Sequence, residues 1–225
     1  MNALVNAHTS RETDNSPDAG LASGAPPGSF GIQSGVSSNF APKEGHHWYV
    51  LRITYNRTDK AQRQVEKTGL QWFLPMHYVI KKEIGKKKRI LKPLLPNLFF
   101  VYATREAADD LLKKNGDMPQ VVKYYRDKTK PTEPDGKHPP MTIPHRAMEN
   151  FIRATATDSD HVRVVSPERC RYKSGDMVRV TGGEFQGITG RVARIAGQQR
   201  VVVEVTGLCL IATAYIPSRF IESIY

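Results

Sequence analysis

The sequence predicts an α+β domain followed by a small all-β domain, in a chain of 225 residues. Two observations predict this fold class. In the first part, β-prone runs alternate with helical segments, which is typical of one sheet with helices packed against it. In the last part, about five short β-prone runs separated by glycines are typical of a small closed barrel.

The N-terminal segment 1–45 is rich in Ser, Ala, Gly, Asn and Pro and contains few large apolar side chains. Such a composition buries too little apolar surface to offset the conformational entropy lost on folding. The segment is therefore predicted to be a disordered tail, with a docking tail as the alternative.

The α+β domain is predicted over 46–154. Its first strand is the continuous β-prone run 47–53, which is dense enough for the centre of a sheet. A helix follows that turns Ala61 and Val65 inward and ends near Gly69. The later elements are a strand over 70–80 interrupted by Pro75, a hairpin over 81–92, a strand over 98–101, a helix between Thr104 and Gly116, a strand over 121–125, and a helix from Pro144 that buries Met148, Phe151 and Ile152.

A loop before the 98–101 strand is apolar where a loop is usually polar. It contains Leu94, Leu95 and Pro96. Apolar loop residues that find no core would form an exposed apolar edge, and such an edge marks an interaction surface.

The barrel is predicted over 172–225, after a linker over 155–171 that lacks periodicity. Its most β-prone strand is 201–205, in which Val201, Val203 and Val205 point to one face and alternate with residues on the other. Valine runs and repeated glycines are both unfavourable in helices. A barrel rather than a helical hairpin is therefore predicted for this segment.

The charge balance favours anionic partners. Lys and Arg number 33 against 22 Asp and Glu, for a formal net charge of +11 and a pI near 9.7. The hairpin over 81–92 is densely basic, and it is either a solvated loop or a clamp on a nucleic-acid backbone. The first helix has a second basic face, made of Lys60, Arg63 and Lys67.

No reactive centre is visible in the sequence, which predicts a protein that is not an enzyme and needs no cofactor or metal. Cys170 and Cys209 are the two cysteines, far apart and outside any metal-ligand spacing, so free thiols are predicted. No His stands at a recognisable spacing from a nucleophile. The sequence also has no apolar run of membrane-spanning length and no signal peptide, so a soluble, cytoplasmic protein is predicted.

Two sets of motifs follow each other along the chain. The first set is Trp48-Tyr49-Val50-Leu51, Pro75, the basic turn at Gly85, and Leu95-Pro96-Asn97-Leu98-Phe99-Phe100-Val101. The second set is Gly175-Asp176-Met177-Val178-Arg179-Val180, Gly183-Glu184-Phe185-Gln186-Gly187 and Gly190-Arg191-Val192. In this order they resemble the NusG family of transcription elongation factors, the first set its N-terminal (NGN) domain and the second its KOW motif.

The resemblance implies a ferredoxin-like NGN domain, with an antiparallel sheet flanked by helices, and an SH3-like KOW barrel. It also implies binding to the clamp coiled coil of RNA polymerase and to upstream or non-template DNA, in a protein that acts as a monomer. The barrel would bind a ribosomal protein or Rho. The implied sites are a polymerase patch at Tyr49, Leu95, Pro96 and Leu98, nucleic-acid contacts at Lys60, Arg63, Lys67, Lys86, Lys87, Lys88 and Arg89, and barrel contacts at Phe185 and Leu208.

Two short motifs depart from the general factor. Pro96-Asn97-Leu98 stands where that factor tends to have Pro-Gly-Tyr, and Thr206-Gly207-Leu208 stands where it tends to have Phe-Gly-Arg. Asn97 and also Pro75-Met76 are similar to specialised paralogs such as RfaH and the UpxY-type antiterminators of polysaccharide operons. The resemblance therefore favours a specialised antiterminator over the general factor.

Two other classes of function remain open. The first is a ribosome-associated RNA-binding protein that uses the KOW barrel and the basic hairpin, which the net charge supports. The second is an enzyme acting on nucleic acid, with a site assembled only in the folded chain.

Overall fold

The computed structural model describes residues 41–54, 57–83, 85–114, 118–156 and 161–224. The predicted tail lies outside the described residues, except for 41–45. The α+β domain contains, in order, β1 (His47–Ile53), α1 (Thr58–Glu66), β2 (Gln71–Phe73), β3 (Met76–Glu83), β4 (Lys86–Pro93), β5 (Leu98–Ala103), α2 (Arg105–Lys114), α3 (Met118–Val121), β6 (Val122–Tyr124), β7 (Thr142–Ile143) and α4 (His145–Thr155). The all-β domain contains β8 (Arg163–Val165), β9 (Arg171–Val180), β10 (Thr189–Ile195), β11 (Gln198–Val205), β12 (Cys209–Tyr215) and β13 (Ile221–Ser223).

Strand β1 lies at the centre of the first sheet, as its dense apolar run predicts. The sheet has the order β2-β5-β1-β6, with β7 also paired to β1, and the pairs are antiparallel. Helices cover both faces of this sheet, which is why β1 is buried on both faces rather than on alternate residues. The α+β prediction is confirmed.

Two apolar clusters divide the sheet residues by face. On one face, Tyr49 and Leu51 pack with Ala61 and Val65 of α1 and with Leu111 of α2, in what we call the helix-pair cluster. The other face belongs to what we call the shared core, which includes Trp48, Val50, Phe100, Phe151 of α4 and residues of the second domain. The inward residues predicted for α1 and α4 are confirmed.

The predicted strand over 70–80 is two strands, because Pro75 separates β2 from β3. Proline has no N–H to donate to a sheet, so a strand usually ends or changes partner there. Strand β2 pairs with β5 in the main sheet, whereas β3 pairs only with β4 in a separate two-stranded sheet. We call this pair of strands the basic ribbon, and it is the predicted hairpin.

The prediction of an exposed apolar edge is wrong for Leu94 and Leu95, each of which is 6% exposed. The Leu94 N–H donates to the Pro75 carbonyl oxygen, and both leucine side chains join the shared core. The following Leu98 N–H donates to the Leu95 carbonyl oxygen, and Asn97 has a φ of 63°. A turn with Pro96 second and a left-handed residue third matches type II, which turns the leucines inward.

The second domain is a six-stranded antiparallel sheet of order β13-β9-β10-β11-β12-β8. A short 3-10 helix, Ser218–Phe220, connects β12 to β13, which is the edge strand opposite β8. Val201, Val203 and Val205 of β11 point into the shared core, as their alternation predicts. All five predicted strands are present, and the domain is a strand fold rather than a helical hairpin.

Within this sheet, Gly190 is required by a close approach between strands. A Cβ at Gly190 would contact the Val202 carbonyl oxygen and would lie 2.8 Å from Val201 Cγ1. Because the first neighbour is backbone, a side chain could be accommodated only by moving a strand.

The linker predicted over 155–171 is partly ordered. Strand β8 lies inside it and pairs with β12, and a 3-10 helix at Pro167–Arg169 follows. This edge strand was missed because three residues are too few to show a period. Residues 157–160 of the predicted linker lie outside the described residues.

Helix α4 joins the two domains. Besides the sheet of the first domain, it contacts β11 and β12 of the second. The Asn150 side chain accepts from the Thr189 N–H at 2.8 Å and donates to the Thr189 carbonyl oxygen. Near these bonds, Arg153 lies against Gly187, and Met141 lies against Gly207.

No helix in the part of the chain that the structure describes is long and apolar enough to cross a membrane.

Candidate functional site

The basic ribbon presents cations along both of its strands. The side chains of Lys86, Lys87, Lys88 and Arg89 are exposed, as predicted for a nucleic-acid contact. In the register of the two strands, Lys81 faces Lys88 and Lys82 faces Lys87. Like charges directly opposite each other destabilise a strand pair, so the sequence of the ribbon is not optimised for its own stability. A bound polyanion would relieve this repulsion.

The two faces of the ribbon differ in character. One face holds Tyr78, with the Arg89 guanidinium carbon 3.6 Å from the ring centroid, and Ile80, which is 59% exposed. The opposite face holds His77 across from Lys92. Burial, and then the Lys92 charge, lower the pKa of His77, so the neutral imidazole is favoured. The Tyr78 face offers cations with an aromatic ring, a combination that suits nucleic acid.

Helix α1 places its three predicted cations on one face. Ala61 and Val65 bind the helix to the sheet, so the spacing of Lys60, Arg63 and Lys67 turns all three outward. Together with Gln64 they line a shallow hollow of about 390 Å³. Side chains with this spacing can contact successive phosphates of one strand.

The predicted polymerase patch is not one continuous surface in this structure. Tyr49 is 4% exposed and belongs to the helix-pair cluster, whereas Leu95 belongs to the shared core on the other face of the sheet. Adjacent residues of a strand point to opposite faces, and only the folded sheet shows which face each loop residue joins. Burial is the main cause that raises the pKa of Tyr49.

The rest of the patch remains accessible. Pro96 is exposed, and Leu98 is half-buried at the edge of the shared core. Both lie in or beside the turn in which Asn97 takes a left-handed conformation. Glycine and asparagine are the residues that most readily take this conformation, so Asn97 can replace the Gly of a Pro-Gly-Tyr turn without changing the backbone.

The two predicted barrel contacts lie at the junction between the domains. Phe185 is 3% exposed in the shared core, and Leu208 packs against that core. Their neighbours Gly187 and Gly207 contact the first domain directly, through Arg153 and Met141. In this arrangement the Phe185 side chain is buried, whereas the Leu208 side chain is half-buried.

The junction residues were missed by the sequence analysis. Asn150 looks like an ordinary polar residue on the outer face of an amphipathic helix, and its partner Thr189 is distant in sequence. No local pattern marks such a pair. The helical period of Met148, Phe151 and Ile152 predicts the buried face of the helix, but it does not predict what the polar residues outside that face contact.

The described residues hold no group of three or more His, Cys, Asp or Glu side chains that could bind a metal ion. Cys170 and Cys209 are thiols outside any disulfide, as predicted. Burial raises the pKa of Cys209 to about 12, so this thiol stays protonated at neutral pH.

Comparison with known families gives a match over the first domain. The family model described as "Transcription termination factor nusG" matches residues 46–152, from the start of β1 into α4. Residues 46–152 belong to the NusG family. The members of this family are transcription factors without enzymatic activity, and they bind RNA polymerase.

Solved structures also match this chain, whereas no curated protein sequence matches it significantly. One matching structure is described as "Domain interaction in Thermotoga maritima NusG". The two sequences are 17% identical, and the match has a TM-score of 0.40. It covers 80% of this chain and 98% of the Thermotoga maritima chain.

Proposed function

We propose that this protein is a NusG-like processive elongation and antitermination factor that binds RNA polymerase. The observation that carries the proposal is the NusG-family match over 46–152, followed in the same chain by an all-β domain. The factor catalyses no reaction itself. It stays on the polymerase, favours forward translocation, and makes pausing and termination less frequent.

A specialised antiterminator fits better than a general factor. Pro75-Met76 and Pro96-Asn97-Leu98 are the motifs that support this choice, because they depart from the general factor towards the paralogs of the RfaH and UpxY type. The proposed targets are individual operons, such as those for polysaccharide synthesis. Mapping the positions of the protein on transcribed DNA in cells tests this choice, since a general factor would occupy most transcription units.

The polymerase contact is placed at Pro96 and Leu98 and is directed at the clamp coiled coil. Leu95→Asp is a poor test, because a charge at a position 6% exposed would destabilise the fold. Leu98→Asp changes a half-buried residue and should lower recovery of the protein in a pull-down with core polymerase about tenfold. The matched control is Val164→Asp, which places the same charge at an exposed apolar residue of the second domain.

If Leu98→Asp remains folded by circular dichroism and binds polymerase as the original protein does, the polymerase contact lies elsewhere. A protein that fails to bind polymerase but sediments with ribosomal subunits without transcription would instead be the ribosome-associated RNA-binding protein.

The DNA contact is placed on the basic ribbon and on the α1 face. Each phosphate neutralised by a Lys or Arg contributes about 0.9 to the slope of log affinity against log salt concentration. The double change Lys87→Gln with Lys88→Gln should therefore lower that slope by up to about 2 for duplex DNA. Lys123→Gln with Lys128→Gln is the control, because it removes equal charge from exposed sites off the ribbon. Equal slopes for the two variants would contradict the ribbon contact.

The second domain is proposed to bind a ribosomal protein or Rho through Phe185 and Leu208. Because Phe185 is buried in the shared core, such a partner could reach Phe185 only after the packing at the junction opens, whereas Leu208 is half-buried. The affinity of the partner should therefore be higher for a chain with a weakened junction than for the intact chain.

A further inference from the structure

The basic ribbon is fixed to the first domain at its base and is exposed towards its tip. Met76 packs against the helix-pair cluster, and the Leu94 N–H donates to the Pro75 carbonyl oxygen at 2.8 Å. In the part of the chain that the structure describes, β3 pairs only with β4. We call residues 80–83 and their partners 86–89 the outer segment. A strand rises about 3.3 Å per residue, so this segment is about 13 Å long.

Each strand of the outer segment carries its own exposed lysines. Lys81 and Lys82 lie on β3, and Lys87 and Lys88 lie opposite them on β4. Both edges of the ribbon are therefore cationic. A contact with a single phosphate strand would use only one edge. Cations on two edges fit a ligand that has two phosphate strands, one on each side of the ribbon.

One face of the outer segment also exposes an apolar side chain between these cations. Ile80 is 59% exposed and pairs with Arg89 in the register of the strands. The next pair on the same face, towards the base, is Tyr78 with Leu91, and Leu91 is also exposed. Because Ile80 contributes so little to the core, its apolar surface would be stabilised by burial against a ligand.

The major groove of duplex DNA has the dimensions to hold this element. It is about 12 Å wide and about 8.5 Å deep and admits a two-stranded β-ribbon, whereas the minor groove is only about 6 Å wide. A ribbon that lies in the major groove has one face towards the base edges and one edge beside each phosphate strand. The lysines of β3 and β4 then reach opposite phosphate strands, and Ile80 faces the bases.

We infer that the outer segment lies in the major groove of duplex DNA and that Ile80 contacts the C5-methyl group of thymine there. The inference rests on the proposed DNA contact of the ribbon and adds that the ribbon distinguishes between base pairs. The thymine methyl is the apolar group that base pairs present in this groove. Since each base pair occupies about 3.4 Å of the duplex, the outer segment covers about four base pairs.

A protein partner fits this face less well than duplex DNA. To cover Ile80, a protein would also have to remove water from the lysines on both edges, which is costly unless each lysine meets an acidic group. The groove supplies phosphates on both sides and a methyl group between them. Duplex RNA also fits less well, because its major groove is deep and narrow.

The test begins by selecting preferred sequences from a pool of random DNA duplexes with the full-length protein. The affinity for a selected duplex is then measured by fluorescence anisotropy before and after its thymines are replaced by uracil, which removes only the C5-methyl groups. This replacement should weaken binding about fourfold for a contacted methyl group. Ile80→Ala should bind the two duplexes equally. Ile80→Val, which keeps a branched apolar side chain, should retain the preference for thymine.

The matched control is Val164→Ala, an exposed apolar residue of the second domain, which should also retain the preference. The groove is tested by dimethyl sulfate, since guanine N7 lies in the major groove and its methylation should be reduced by the bound protein. Unprotected guanine N7 groups in the selected sequence would contradict the major-groove contact.

Three results would overturn the inference. They are a selection without a preferred sequence, a thymine preference that persists in Ile80→Ala, and a loss of polymerase binding by Ile80→Ala with unchanged affinity for DNA. The last result would identify the Ile80 face as a protein contact. If Lys87→Gln with Lys88→Gln lowers the salt slope while thymine and uracil duplexes bind the original protein alike, the proposed DNA contact stands and only the base contact fails.

Discussion

At the scale of single residues, Asn97 shows how a motif that departs from its family can preserve a conformation. Its φ of 63° lies in the left-handed region, and its carbonyl oxygen accepts from the Ile53 N–H at 2.8 Å. The turn it completes carries Pro96 and leads into Leu98, the accessible residues of the proposed polymerase patch. Position 97 therefore requires a residue that readily takes a left-handed backbone conformation.

We expect Asn97→Gly to change the free energy of unfolding by less than about 1 kcal/mol, because Gly takes a left-handed φ without strain. Asn97→Val should destabilise the protein by about 1–2 kcal/mol, because a β-branched residue is strained there. Urea unfolding of both variants measures the difference. A valine variant as stable as the glycine variant would show that the turn relaxes away from positive φ.

At the scale of elements, the basic ribbon differs from the rest of the fold because its own residues do not stabilise it well. It is a two-stranded sheet outside the main sheet, and such pairs are marginally stable on their own. Lysines face lysines across it, and Ile80 is largely exposed. A structure that keeps unfavourable pairs in an exposed element is typical of a surface selected for binding, here to a polyanion.

We expect Lys87→Glu to stabilise the ribbon while weakening its binding to DNA. The new carboxylate would face Lys82, which replaces a repulsive cross-strand pair by an attractive one worth about 0.2–1 kcal/mol. Amide hydrogen exchange in 76–93 should slow, and the affinity for duplex DNA should fall. Lys123→Glu, off the ribbon, is the control for the change in net charge. Faster exchange in the ribbon of Lys87→Glu would contradict the proposed repulsion.

At the scale of the whole molecule, α4 belongs to two domains at once. One side buries Met148, Phe151 and Ile152, and Asn150 binds both backbone groups of Thr189 in the second domain. The apolar core is continuous across this junction. The arrangement covers Phe185 and leaves Tyr215 at the open end of the second domain, so the two ends of that domain differ in access.

We expect Asn150→Ala to loosen the junction without unfolding the first domain. It leaves the Thr189 N–H and carbonyl group without their partner, at a cost of about 1–3 kcal/mol if they stay buried. Hydrogen exchange at Thr189 and in the turn that carries Phe185 should accelerate, whereas exchange in α1 and β1 should not. Arg146→Ala, an exposed change on the same helix, should leave all of these rates unaltered. Equal exchange rates in the two variants would show that the apolar contacts alone hold the junction.

Most elements were predictable because their signals are local. The density of β1, the helical period of α4 and the valine alternation of β11 depend on neighbours within a few residues, and the cations of α1 face outward because Ala61 and Val65 face inward. Strand β8 was not predictable, because its three residues are identified as a strand only by their pairing with β12.

The sequence by itself determined the two-domain order, the secondary structure and the positions of the basic surfaces. Only the tertiary structure decided which apolar side chains remain accessible. It placed Tyr49 and Leu95 on opposite faces of one sheet, and it buried Leu94 and Phe185. The physical reason is that exposure depends on contacts between residues far apart in the chain, and no periodicity within a segment records them.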